Sequence, residues 1–216
     1  MIHFIAVRKF LIIGIIIVSM SNIACLQVNS VQIHQPVACP SQCKNVFLMT
    51  MDTMMRKMDT VKTGISPDYD FMSQMIPHHR GAIEMARYEM ENGRNFQIVQ
   101  LAKSILAEQA VEIQQMQAYK KLFLPIDYPL KDKFKKEMNE AMNLMMRNMP
   151  ADHELYNVDI AFAMVMIPHH RAGIDMAKVV LNFSSDKKTI GLSKQIIASQ
   201  EVEIGQMCSF LNKRHE

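Results

Sequence analysis

Two sets of histidines and methionines are the side chains in this sequence best suited to bind a metal ion. Each set holds an adjacent histidine pair between two methionines: His78, His79, Met75 and Met85 in the first, and His169, His170, Met166 and Met176 in the second. The histidines follow the first methionine by three and four residues, and the second methionine follows it by ten. This spacing places each set on one face of a helix.

Thioethers and imidazoles together favour a soft monovalent cation. Thioethers are neutral and soft and imidazole is borderline, so this mixture suits Cu(I) or Ag(I) better than Zn(II), Mg(II) or Ca(II). Neutral ligands also let a monovalent cation enter an apolar bundle without a carboxylate. Adjacent residues of a helix diverge by about 100°, so both histidines of a pair cannot point squarely at one centre. We expect one to bind metal while the other serves a neighbouring site or a hydrogen bond.

Two further methionine clusters occur upstream of the histidine pairs. They are Met51, Met54, Met55 and Met58, and Met142, Met145, Met146 and Met149. Their spacing of three, four and seven residues again indicates a helix face. They supply metal ligands from a facing helix or form sites of their own. The alternative is that they fill the core, because methionine packs well into irregular apolar gaps.

The second half of the chain copies the first at a constant offset of 91 residues. Residues 76–80 read Ile-Pro-His-His-Arg and recur at 167–171, and the methionine clusters obey the same offset. In the second copy Ala161 replaces Asp70 and Ala163 replaces Met72. The duplication predicts two equivalent structural units.

Helical periodicity runs through both units. It predicts helices over residues 44–63, 69–92 and 95–122 in the first unit, and over 131–149, 155–182 and 186–212 in the second. Pro77 either kinks or restarts its helix, and Gly93 is a plausible stop. No alternating strand pattern is found. We predict an all-α, pseudosymmetric bundle of about six helices from two tandem three-helix repeats. The first repeat covers 44–124, and the second, 131–212, packs with it as one domain.

Glu112 and Glu203 raise the question of a di-iron site. Such a site in a helical bundle needs a Glu-x-x-His pair on each of two helices, and the sequence contains no Glu-x-x-His. The two glutamates either orient a ligand histidine through a hydrogen bond or face water.

The N-terminus has the layout of a secretory signal. Arg8 and Lys9 precede an apolar run over residues 10–20, followed by small and polar residues before Cys25. We predict a signal peptide over 1–25, an exported N-terminal segment over 26–43 and a periplasmic or otherwise exported protein. A lipoprotein or an uncleaved anchor is the alternative. Export implies an oxidising compartment, in which Cys39 and Cys43 form a disulfide or bind copper as thiolates.

The charge balance and the missing motifs exclude other classes of function. The net charge is only +3, which argues against a nucleic-acid partner. The apolar run is short for a transmembrane span, so no membrane insertion of the mature chain is expected. No nucleophile motif, phosphate loop or dinucleotide fingerprint appears. We expect that the protein is not an enzyme.

The pattern MIPHH-x5-M over residues 75–85, followed by Gln109-x-x-Glu112-Ile113, resembles domain-of-unknown-function family 305. The resemblance covers most of the chain after residue 45. It implies a ferritin-like fold, export, and copper binding, tolerance or trafficking outside the cytoplasm. It also implies the two histidine and methionine sets given above as ligands.

The leading hypothesis is an exported copper-binding protein. It sequesters Cu(I), with Ag(I) as a second cation, or passes it between donor and acceptor proteins, and so contributes to copper homeostasis or resistance. One alternative is a ferritin-like metal-dependent oxidoreductase. Another is a methionine-rich module that binds a partner helix through an adaptable surface.

Overall fold

Six α-helices account for most of residues 44–213, the part of the chain that this computed structural model describes. They are α1 (Val46–Asp59), α2 (Pro67–Asn92), α3 (Phe96–Lys120), α4 (Lys131–Arg147), α5 (Val158–Leu181) and α6 (Lys187–Asn212), with a short 3-10 turn at Asp152–Glu154. No strand occurs among these residues. The predicted all-α bundle is confirmed. The predicted signal peptide and exported N-terminal segment, with Cys39 and Cys43, lie outside the described residues.

The proline residues of α2 explain where this helix begins and why it continues. Pro67 occupies the first helical position, where a missing N–H costs nothing, and Ser66 Oγ accepts a hydrogen bond from Tyr69 N at 3.1 Å. The helix therefore starts two residues before the predicted boundary. Pro77 lies inside a single helix that runs on to Asn92. Pro168 occupies the equivalent place in α5.

Helices α2 and α5 form an antiparallel pair at the centre of the bundle. Asp68 at the start of α2 is hydrogen-bonded to Ser184, just after α5. Asp159 at the start of α5 accepts hydrogen bonds from Arg94 N and Asn95 N, just after α2, at 2.9 and 2.7 Å. Asp68 and Asp159 are equivalent positions of the two repeats, so the contacts are related by an approximate two-fold axis.

The other helices cover this central pair. Within each repeat, α3 packs on α2 and α6 packs on α5, while α1 lies against α2 and α4 against α5. Helices α3 and α6 also touch each other across the repeats. Phe47 of α1 joins both repeats, because its ring centroid lies 5.3 Å from that of Tyr88 on α2 and 6.0 Å from that of Phe162 on α5.

Residues 121–130, which we name the interrepeat loop, connect α3 to α4. Ile126 N donates a hydrogen bond to Ile65 O at 2.9 Å, and the Tyr128 hydroxyl donates one to Asp70 at 2.7 Å. Asp70 also accepts from Gly64 N and Ile65 N at 2.6 and 3.1 Å. Gly64 has φ +95°, which favours glycine. Because Ala161 replaces Asp70 in the second repeat, this arrangement occurs once.

Within residues 44–213, no helix combines the length and apolar character needed to cross a bilayer.

Candidate metal centre

All four histidines of the two pairs are fully buried in the middle of the bundle. His78 and His169 stack across the two-fold axis with ring centroids 3.8 Å apart and planes inclined by 30°. Within each pair the rings are farther apart, 6.2 Å for His78 and His79 and 5.9 Å for His169 and His170. One histidine of each pair therefore faces the other repeat, and its neighbour turns towards the third helix of its own repeat, as the angular spacing predicts.

The outward-turned histidines each meet a glutamate. His79 Nε2 lies 2.8 Å from Glu112 Oε2 on α3, and His170 Nε2 lies 2.8 Å from Glu203 Oε2 on α6. Both glutamates are buried, so the alternative in which they face water is wrong. An ionised carboxylate can only accept a hydrogen bond, so His79 donates its Nε2–H to Glu112, whereas His170 Nε2 meets Glu203 as a close contact that lacks hydrogen-bond geometry. Neither Nδ1 atom has a hydrogen-bond partner.

The surroundings of the stacked histidines, His78 and His169, favour the neutral form of both rings. His169 Nε2 lies 3.2 Å from the carbonyl oxygen of His78, and a carbonyl can only accept, so Nε2 is the protonated nitrogen of His169. Nδ1 of His169 and both ring nitrogens of His78 lack hydrogen-bond partners. Burial, and then the charges of the neighbouring histidines, hold the pKa of His78 and of His169 well below the usual value. Both rings therefore present lone pairs at neutral pH.

The methionines of the two histidine sets share this burial. Met75, Met85, Met166 and Met176 are all completely buried. Met54 of α1 approaches α2 at Gly81, where an added Cβ would lie 2.9 Å from the Met54 sulfur. A side chain at position 81 would therefore displace this thioether.

Each upstream methionine cluster has some members that are buried and others that reach the surface. The buried members are Met51, Met54 and Met58 on α1 and Met142 and Met145 on α4, whereas Met55 and Met149 are partly exposed and Met146 is exposed. The buried members form part of the apolar core. A metal-binding role for any member of the clusters stays a prediction.

Three glutamates, Glu108, Glu112 and Glu203, lie close together where α3 meets α6. The sequence pattern did not predict this cluster. Burial raises the pKa of Glu108; Ser199 opposes this through a hydrogen bond, while the charges of Glu203 and Glu112 raise the pKa further. Gln195 of α6 donates a long hydrogen bond of 3.5 Å to Glu112 on α3. Glu108 and Ser199 are equivalent positions of the two repeats, because they are 91 residues apart. This equivalence is the sequence feature that could have predicted their contact at the approximate two-fold axis.

The donor atoms available in the bundle centre determine which metal ion it can bind. In the described part of the chain, no three side chains drawn from His, Cys, Asp and Glu are arranged to hold a metal ion. A site with three or more ligands here would therefore need donors of another kind, and the buried thioethers are one such kind. The unpartnered imidazole nitrogens and the buried methionine sulfurs are neutral donors that fit a soft monovalent cation.

Comparison with known proteins places the chain among helical proteins of one family. The model described as Domain of unknown function (DUF305) matches residues 26–120 and 129–216. CopM in its Ag-bound form is 28% identical, with 68% of this chain and 95% of CopM aligned at a TM-score of 0.51. CopM in its Cu(I)-bound form is 26% identical, with 69% and 98% aligned at a TM-score of 0.51.

Two other relatives are more distant or shorter matches. A DUF305 protein from Streptomyces coelicolor shares the fold, at 22% identity and a TM-score of 0.55 over 71% of this chain and 95% of that protein. An uncharacterised protein of Acanthamoeba polyphaga mimivirus is 43% identical over 49 residues, which are 23% of this chain. The match spans about a third (32%) of that viral protein.

Proposed function

This chain belongs to the DUF305 family, and from that premise we propose that it is an exported protein that binds Cu(I), and also Ag(I), through buried histidine and methionine side chains. Copper is its cargo. The observation that carries the proposal is the set of unpartnered imidazole nitrogens on the same two helices as four completely buried methionines. A buried polar atom without a hydrogen bond is costly, and a bound soft cation would satisfy it.

The glutamates support this function without touching the cation. Glu112 accepts a hydrogen bond from Nε2–H of His79, which directs Nδ1 of that ring away from the carboxylate, and Glu203 lies 2.8 Å from Nε2 of His170. A carboxylate hydrogen-bonded to a ligand histidine fixes the ring and raises the basicity of its free nitrogen. We infer that these contacts prepare His79, and by the repeat symmetry His170, as ligands before any cation arrives.

The similarity to CopM supports the identity of the cation. CopM, at 26–28% identity, has been solved in Ag-bound, Cu(I)-bound and Cu(II)-bound forms. A site of thioethers and imidazoles prefers the monovalent form, because these ligands are soft and neutral. We infer sequestration or delivery of Cu(I) outside the cytoplasm, and no enzymatic activity.

A competitive Cu(I) titration under anaerobic conditions tests the proposal. The variant replaces the four core methionines by leucine: Met75→Leu, Met85→Leu, Met166→Leu and Met176→Leu. Leucine preserves apolar volume, at a cost usually below about 1.5 kcal/mol per site, so the core stays filled while the thioethers are lost, and circular dichroism checks that the variant is folded. The matched control is Met49→Leu with Met90→Leu, two exposed methionines outside the sets.

We expect the wild type and the control to bind Cu(I) alike and the core variant to bind at least about a hundredfold more weakly, as expected when soft ligands are removed. If the wild type binds Cu(I) and Ag(I) no better than the core variant, the methionines are core filler and the proposal fails. Oxygen consumption on addition of Fe(II) or Cu(I), with turnover, would instead support the oxidoreductase alternative.

A further inference from the structure

The interrepeat loop displays a concentration of large apolar side chains at the surface. Leu122, Leu124, Ile126 and Leu130 are 58, 76, 54 and 54% exposed. Single exposed apolar residues need no explanation, but a contiguous group usually marks an interaction site. The other large exposed apolar residues among those described are scattered over several helices.

The backbone of the loop holds these side chains outwards. Ile126 N is tied to Ile65 O, and Tyr128 is tied to the buried Asp70. Pro125 and Pro129 restrict φ on either side of these attachments. The loop is therefore anchored through its backbone and Tyr128, so its aliphatic side chains remain free to contact something else.

Lysines surround the apolar group. Within residues 119–133 there are four lysines, Lys120, Lys121, Lys131 and Lys133, against two aspartates, Asp127 and Asp132. One neighbouring element adds a further cation, because Lys188 at the start of α6 lies 5.4 Å from the ring centroid of Tyr119. Lys120 itself lies 4.9 Å from the ring centroid of Tyr69. Lys120 also lines a cleft of about 480 Å³ together with Lys57, Lys62 and Arg80.

We propose that this end of the bundle docks on an anionic lipid surface. The aliphatic side chains of the interrepeat loop reach the boundary between headgroups and acyl chains, and the surrounding lysines contact the headgroups. Apolar residues flanked by lysines are the composition that binds such an interface, and each lysine near an anionic surface adds attraction. The contact is shallow and involves no spanning helix, but it departs from the expectation of no membrane insertion.

The shape and composition favour a lipid surface over a protein partner. Leu122, Leu124 and Ile126 project from a loop at the end of the bundle, whereas the core of a protein interface is enriched in aromatic residues, methionine and arginine. The binding of Cu(I) is not required for this contact. Failure of either proposal therefore leaves the other intact.

The absence of tryptophan from the chain allows a direct test. In the full-length protein, Leu124→Trp places a single tryptophan in the interrepeat loop. The matched control is Phe96→Trp, because Phe96 is also 76% exposed and lies at the other end of α3. Tryptophan emission is measured with vesicles of phosphatidylcholine alone and with vesicles that also contain phosphatidylglycerol.

We expect the emission of Leu124→Trp to shift to the blue with the anionic vesicles only and to be quenched by shallow lipid-attached quenchers, while Phe96→Trp does not respond. Adding Lys121→Glu and Lys133→Glu to the Leu124→Trp protein should weaken partitioning by about fivefold or more for each lysine. Raising the ionic strength should weaken it as well, because surface charges are screened.

Three outcomes overturn the proposal. In the first, neither tryptophan responds. In the second, both respond alike, which places the contact elsewhere, since both proteins carry the same residues 1–43. In the third, Leu124→Trp shifts without vesicles and in proportion to protein concentration, which identifies a second copy of the chain as the occupant of this surface.

Discussion

At the scale of single residues, the positions of protons on the imidazoles decide the chemistry of the bundle centre. His79 donates Nε2–H to Glu112, and His169 donates Nε2–H to the carbonyl of His78, while Nε2 of His170 lies 2.8 Å from Glu203. The sequence predicted that the two histidines of a pair diverge, because a helix turns about 100° per residue. It left the role of Glu112 and Glu203 open, because periodicity places a residue on a face without showing what covers that face.

Removing the charge of the two glutamates should weaken Cu(I) binding without unfolding the protein. Glu112→Gln with Glu203→Gln keeps an oxygen that can accept from the histidine, but loses the negative charge that makes the ring more basic. We expect Cu(I) affinity to fall by about ten- to a hundredfold, measured by competition with a Cu(I) chelator. Glu201→Gln, at an exposed position of α6, is the control and should change nothing. Equal affinities in all three proteins would contradict the role assigned to the glutamates.

At the scale of elements, α2 ends just before Gly93. A neighbouring residue, and not a left-handed backbone conformation, explains why this position is a glycine. The sequence predicted Gly93 as a helix stop, and it is the C-cap, but its φ is −69°, outside the left-handed region. A Cβ at this position would lie 2.1 Å from Glu89 Oε1. The residue is small because the buried Glu89 carboxyl and the Glu89 carbonyl oxygen, 2.6 Å from that Cβ, occupy the adjoining space.

Alanine should have opposite effects at two glycines of this fold. Gly93→Ala forces the Glu89 side chain to move and should destabilise the protein by about 1–3 kcal/mol. Gly205→Ala lies inside α6 with no atom within 4 Å of the new Cβ, so better helix propensity should stabilise by about 0.5–1 kcal/mol. Urea unfolding of both variants measures the difference. A neutral or stabilising Gly93→Ala would show that the carboxyl moves freely.

The same carboxyl makes stability depend on pH. Burial first, and then the hydrogen bond to Asp159 and its charge, raise the pKa of Glu89 to about 8. The folded protein therefore holds a proton that the unfolded chain releases near pH 4.5. Between these values the folded state binds more protons, so stability from this group is complete below the unfolded pKa and falls as the pH rises towards 8.

Glu89→Gln should remove this dependence, because the amide stays neutral at every pH. We expect the wild type to lose about 1–3 kcal/mol of unfolding free energy relative to the variant between pH 5 and pH 9, a figure reduced for solvent screening. Urea unfolding at several pH values gives the comparison. Glu91→Gln, exposed two residues away, is the control. Parallel profiles for wild type and Glu89→Gln would mean that Glu89 is already ionised in the fold.

At the scale of the whole molecule, periodicity and the 91-residue repeat predicted the helices and their number, but could not predict how the repeats meet. The helix boundaries lie within four residues of those expected. The stacking of His78 on His169 depends on the antiparallel crossing of α2 and α5, and nothing in a 3.6-residue period specifies that crossing. The contacts of Asp68 and Asp159 across the repeats were missed for the same reason, because hydrogen bonds between distant segments leave no local pattern.

The crossing makes each repeat dependent on the other. Residues 44–124 alone would expose the face of α2 that α5 covers, including His78, and would lose the cap that Asp159 supplies to Arg94 and Asn95. We expect this fragment to melt without a cooperative transition in thermal circular dichroism, whereas the intact chain melts cooperatively. A sharp transition of the fragment at micromolar concentration, independent of concentration, would show that one repeat is a folding unit.

The stack of His78 on His169 has a consequence for how such a centre can change. In a symmetric dimer of identical chains, one codon would specify both stacked rings, so every substitution would change both halves at once. Here two codons in one reading frame specify them, so one half can be altered while the other keeps its partner. Asp70 and its counterpart Ala161 differ in this way, so the two halves are already distinct at a position that holds the interrepeat loop in the first repeat.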